Sequence, residues 1–152
     1  MANPYSEPTG AVYLVPFTAQ SISANPHDLW HIHASTTSRV AIREIRMGQY
    51  TEFGDAAAEL LNLQFFTGST AASSGTAITA ANVKRSTNAL TAGSSCLGPS
   101  TTVASTDSAT LVWSEPWNVA AGFLYAPHWN ERIILEPNQR FSVRMSTPAD
   151  AM

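Results

Sequence analysis

Hydrophobic and polar positions alternate with a period of two through most of the chain, which predicts strands rather than helices. Ala11 to Val15 opens as a strand after the Pro8–Gly10 turn signal, with a continuation from Phe17 to Ile22. Leu29 to His33 alternates after the turn-like Asn25 and Pro26. Arg39 to Met47 reads as a further strand, with Val40 and Ile42 in one phase and Ile45 and Met47 in the other. Such a phase switch predicts a bulge. Gly54 to Leu60 carries three alanines and fits a single helical turn, too short to be more than a connector. Leu61 to Phe65 is a half-buried strand, with Leu61, Leu63 and Phe65 on one face and Asn62 and Gln64 on the other.

The character changes between Gly68 and Ser108, where Ser, Thr, Ala and Gly dominate. Ile78, Val83, Leu90, Leu97 and Val103 are scattered through it and predict one or two weak strands between long loops. Patterning returns afterwards. Ala109 to Trp113 predicts a strand stopped near Pro116, and Val119 to Tyr125 another stopped by Pro127. Ile133 to Leu135 leads into a turn at Glu136 to Asn138, and Phe141, Val143 and Met145 then alternate with Ser142, Arg144 and Ser146. Two alternating runs around Pro137 and Asn138 signal a hairpin. Eight to ten short strands without a long helix predict an all-β fold, an antiparallel β-sandwich or jelly roll with long neutral loops. Residues 1–10 read as a short N-terminal arm and 11–152 as a single β-sandwich domain.

Composition narrows the function classes. Only 12% of the 152 residues are charged, while Ala, Ser and Thr number 23, 17 and 16. The deficit is local: between Leu60 and Thr106 the only charges are Lys84 and Arg85. A net charge of −3 provides no basic footprint for nucleic acid and no cationic cluster for an anionic membrane. No apolar run approaches the length of a membrane span. Aromatic residues at 9% allow a packed core and argue against charge-driven disorder. Cys96 is the single cysteine, so no intrachain disulfide forms, as expected of folding in a reducing cytoplasm. The first ten residues show no basic region and no long apolar run, which predicts no signal peptide. The neutral stretch desolvates at low cost and is where contact with a neighbouring subunit is expected.

Candidate chemistry is sparse. His31 and His33 share one face of a strand and form a potential metal pair. A third ligand would have to come from His27 or His128, since the next acid after the pair is Glu44. Two satisfied polar side chains on a half-exposed face are therefore expected, and a metal-dependent β-barrel enzyme is the third-ranked reading. Glu52, Asp55 and Glu59 fit a solvated connector. Cys96 has no local base or cation to form a thiolate, so a packing role is expected. The nucleophile elbow, phosphate loop, dinucleotide fingerprint and calcium loop are all missing, so no catalytic residue, cofactor or metal is predicted.

The aromatic residues are more informative. Trp113, Trp117, Tyr125 and Trp129 fall close together, a density that suits a carbohydrate site, an interface or a small core. Trp113 and Tyr125 sit inside strands and are expected in the core. Trp117 and Trp129 lie beside Pro116 and Pro127 and are expected at an interface, together with Pro4 and Tyr5 of the arm. Arg39, Arg43, Arg46, Arg140 and Arg144 lie in strand segments with Glu44 and Glu136, which predicts ion pairs on the sheet face or across a subunit boundary.

Over nearly its full length the chain resembles the small jelly-roll structural proteins of tailed bacteriophages, of the head-decoration or cement type. The resemblance rests on layout: a Pro-rich arm from Asn3 to Pro8, the Asp55 to Leu61 connector, the central strand ending at Phe65 to Gly68, and the neutral excursion. It continues in the Trp117 to Pro127 segment and the last strand from Phe141 to Asp150. It implies a non-enzymatic virion protein, made in the host cytoplasm, that sits on the outer capsid surface and stabilises the shell. The implied partner is the major capsid protein, and the implied assembly is a homo-oligomer, with a trimer favoured. The alternative is a tail- or fibre-associated β-sandwich module that binds a receptor or glycan.

Overall fold

A computed structural model describes residues 11–16, 27–48, 60–69, 75–83, 93–100, 103–104, 109–118 and 121–146. The Met1 to Gly10 arm, the Phe17 to Ile22 continuation and the connector before Leu60 lie outside these residues. The described chain is all-β, with twelve strands: β1 Tyr13–Leu14, β2 His27–His33, β3 Val40–Ala41, β4 Ile45–Met47, β5 Leu60–Thr67, β6 Ala77–Ile78, β7 Ala81–Asn82, β8 Ser95–Leu97, β9 Thr110–Asn118, β10 Phe123–Tyr125, β11 Ile134–Leu135 and β12 Arg140–Ser146. Every pairing is antiparallel.

One sheet of six strands, ordered β6-β8-β2-β12-β5-β9, forms the framework, and β4–β10, β3–β11 and β1–β7 pair as two-stranded ribbons. The alternation in β5 and β12 produces the core directly. Leu61, Leu63 and Phe65 pair across or beside Phe141, Val143 and Met145 on one face, and all six are buried. Ile42, Ile45 and Leu135 from the ribbon side close the same cluster. The result is an antiparallel β-sandwich with the core between the large sheet and the ribbons. Burying a side chain the size of Leu or Phe contributes roughly 1.5–3 kcal/mol, so this layer dominates stability.

Several local expectations are corrected. Arg39 to Met47 is not one bulged strand but two, β3 and β4, which pair with β11 and β10. Ile42 and Ile45 both reach the core because the chain breaks between ribbons. The turn at Pro137 and Asn138 does not close a hairpin. β11 before it pairs with β3, while β12 after it enters the large sheet, so the turn carries the chain between layers. Asn138 adopts φ 65° there, a left-handed conformation that Asn tolerates. Pro116 does not stop its strand, because β9 is an edge strand of the sheet among the described residues, and an edge accommodates a missing N–H. The neutral stretch supplies three short strands, β6, β7 and β8, where one or two were expected.

The sheet bulges where the alternation gave no warning. Val143 pairs with Trp30 and Arg144 with Asp28, which leaves Leu29 as an extra residue. Phe65 pairs with Trp113 and Phe66 with Leu111, which leaves Val112 extra. Each bulge flips the residues beyond it to the other face. Asp28 thereby leaves the face of Trp30 and joins Arg144 on the side away from the core. Leu111 likewise leaves the face of Trp113.

Candidate functional site

The second bulge shapes the most distinctive surface. Core-facing Trp113 lies flat on Phe65, with ring centroids 3.7 Å apart and planes 4° from parallel. Tyr125 and Phe123 of β10 flank the indole at 4.9 and 6.1 Å. Phe123 is also stacked on Phe65 at 5.6 Å, which ties the ribbon to the sheet. Such pairs contribute about 0.5–1.5 kcal/mol beyond their buried area. Gly122 precedes β10 with φ 69°, and a Cβ there would stand 3.3 Å from the Met47 carbonyl oxygen, so glycine lets β10 enter its pairing with β4.

An open groove of about 460 Å³ runs between β9 and β10, lined by Trp113, Glu115, Trp117, Phe123, Tyr125 and Pro127 among others. Trp113 Nε1–H donates to Glu115 Oε2 at 3.1 Å, which fixes the carboxylate at the groove wall. The Tyr125 hydroxyl donates to the Glu131 carbonyl at 3.5 Å, and burial pushes its phenol pKa upward. Trp117 Nε1–H is buried and has no acceptor among the described residues. Aromatic walls with a positioned carboxylate and an amide, Asn118, suit the apolar faces and hydroxyls of a sugar, or an anchoring side chain of another protein.

The predicted interface residues are distributed unevenly. Pro4 and Tyr5 lie outside the described residues. Trp117 lines the groove yet is only 7% exposed and belongs to the core cluster, so in this chain it serves as floor rather than as a protruding anchor. Trp129 is half-buried beside His128, with ring centroids 5.8 Å apart, and does not line the groove. Trp113 and Tyr125, expected in the core, pack against it from the groove side. Phe65, Phe123 and Glu115 complete the constellation. Their signal was unreadable beforehand, because the Phe65–Trp113 register is not encoded locally.

The other candidates resolve individually. His31 and His33 do share a face, opposite Ser142 and Arg140. His31 is buried and His33 half-buried. His128 Nδ1 is 2.6 Å from Asn130 Oδ1 on a separate loop. Among the described residues no group of three metal-ligating side chains converges. Cys96 is a buried core residue, and burial pushes its thiol pKa to about 11. Glu52, Asp55 and Glu59 lie outside the described residues.

The arginines divide by burial. Arg39 pairs with Glu136 at 2.7 Å and Arg46 with Glu44, both pairs exposed. Arg144 pairs with buried Asp28, Nε to Oδ1 at 2.8 Å, on the face away from the core. Asp28 also accepts from the Ala104 N–H at 2.5 Å, and Arg144 Nη2–H donates to the Ala104 carbonyl at 2.6 Å. Ser100 exchanges backbone hydrogen bonds with Asp28 at 2.9 and 3.2 Å. Ser100 and Ala104, from the neutral stretch, are thus fastened to the sheet of their own chain. The Arg144 guanidinium also lies over the Phe66 ring, 5.2 Å from its centroid.

Comparison with protein-family models, with curated proteins and with solved structures finds no match.

Proposed function

We propose that the protein is a virion structural protein of the capsid-decoration type, which binds the outer surface of a phage head and stabilises it. The observation that carries this reading is the exposed edge of β9. Its nine residues end one side of the large sheet among the described residues, and Leu111 and Val112 are 47% and 44% exposed at its bulge. Exposed apolar residues on an edge strand are suited to protein contact, and an edge can accept a strand from a partner. The layout of the sequence supports the same class. In this reading the partner is the major capsid protein, the chain acts as a homo-oligomer with a trimer favoured, and repeated sites on the shell supply avidity.

Electron microscopy of virions from the genome that encodes the chain tests the proposal. Density on the outer shell is expected, with virions lacking the chain failing at lower temperature. Absence of the chain from purified particles overturns it. Leu111→Asp is expected to weaken binding to shells while leaving the fold intact.

The aromatic groove favours a second reading, a tail- or fibre-associated module that binds a receptor or glycan. Glycan-array binding that is lost in Trp113→Ala or Tyr125→Ala, with the chain located at the tail or fibre, would replace the first reading.

A further inference from the structure

We infer that the protein carries a small-oxyanion site, separate from the aromatic groove, where Arg140, His33 and Ser95 form one row across three neighbouring strands. Arg140 of β12 pairs with His33 of β2, and His33 pairs with Ser95 of β8. Directly paired residues of a sheet share a face, so the three side chains lie side by side, with facing Cβ atoms about 4.5–5.5 Å apart. The face is the one away from the core, because their neighbours Phe141 and Ile32 point into it.

The row is unbalanced in charge. Arg39, Arg46 and Arg144 each hold a carboxylate, whereas Arg140 Nε–H is buried and has no acceptor among the described residues. A desolvated guanidinium donor without a partner is costly, and a bound anion would remove that cost. The one carboxylate placed on this face by the first bulge, Asp28, is taken by Arg144 and the Ala104 N–H.

A pocket of about 340 Å³ opens at the His33 and Ser95 end of the row, lined also by Ser35, Thr36, Thr37 and Gly93. Its walls are rich in hydroxyls. Ser35 Oγ already accepts from the Ser38 N–H at 2.9 Å, which leaves its own proton to donate. Hydroxyl and imidazole donors line the recess, and Arg140, paired with His33 beside it, supplies the charge-assisted bonds that recognise the oxygens of phosphate or sulfate. This site does not depend on the capsid reading.

The test is a titration of the full chain with inorganic phosphate and with sulfate, against chloride at matched ionic strength, followed by NMR. Saturable shifts are expected at the His33 ring and at the backbone amides of residues 93–97. Arg140→Gln is expected to weaken binding by about tenfold or more, and Arg140→Lys by less, since lysine keeps the charge but loses the fork. If Arg140→Gln does not fold, Arg140→Lys together with the phosphate-dependent rise of the wild-type thermal midpoint decides. Shifts that match chloride and never saturate overturn the site. So does phosphate affinity unchanged in a folded Arg140 variant.

Discussion

At the centre of the six-stranded sheet both faces hold fully buried side chains, yet they are built from opposite materials. The core face presents Leu63, Phe65, Phe141, Val143 and Met145, all fully buried. The other face presents Asp28, His31, Ser142 and Arg144, with Asp28 and Ser142 equally buried. The first face is held by non-directional burial, which any alternating strand can supply. The second is held by directional bonds whose partners come from distant positions: Asp28 to Arg144 and Ala104, and Ser69 Oγ to Ser142 Oγ at 2.8 Å. The difference teaches where each face is vulnerable. A core substitution leaves a cavity, while an outer-face substitution leaves a stranded polar group.

Breaking the core face is expected to have the largest effect. Phe141→Ala removes a ring that meets Trp30 edge-on at 6.1 Å and Phe65 at 6.3 Å, and should cost about 4 kcal/mol in urea denaturation. Breaking the outer face comes next. Asp28→Ala strands Arg144 beneath Ala104 and should cost about 3 kcal/mol. It should also expose the segment around Ala104 to proteolysis before global unfolding, which Phe141→Ala should not do selectively. Equal protection in both variants would show that the outer face does not hold that segment.

A smaller effect sharpens the comparison through pH. Cys96 sits on the core side, and its thiol pKa is raised from 9.0 to about 11. The unfolded chain therefore loses this proton first. The stabilisation is complete below about pH 9 and is lost as pH rises to about 11. Tyr125, also raised by burial, adds in the same direction above 10. Thermal melts across this window should slope downward, and Cys96→Ala should flatten the lower part. The smallest effect belongs to the exposed ion pair: Arg39→Ala should change stability by less than about 0.5 kcal/mol, although its distance to Glu136 resembles that of the buried pair.

The candidate site was legible only in part. Trp113, Trp117 and Tyr125 stood out by density, and all three line the groove. Trp129 stood out equally and does not. The distinction depends on the β9–β5 register and on the turn at Gly122, neither of which short-range spacing specifies. Arg140 and His33 were each visible as strand residues, but their adjacency across more than a hundred positions was not. The neutral stretch is where contact with other subunits is expected, and two of its residues, Ser100 and Ala104, contact the sheet of their own chain. Their contact is made mainly by backbone groups, which carry no side-chain signature.

By itself the sequence determined the fold class, the absence of a long helix among the described elements and the core of β5 and β12. Alternation acts residue by residue, and the cost of exposing Leu or Phe enforces it wherever the strand lies. Only the tertiary structure decided which strands pair, where the chain crosses between layers, and that Leu29 and Val112 bulge. Those choices arise from competition among long-range partners. A bulge is settled by the summed fit of both faces, so one extra residue moved Asp28 onto Arg144 and brought Leu111 to the surface.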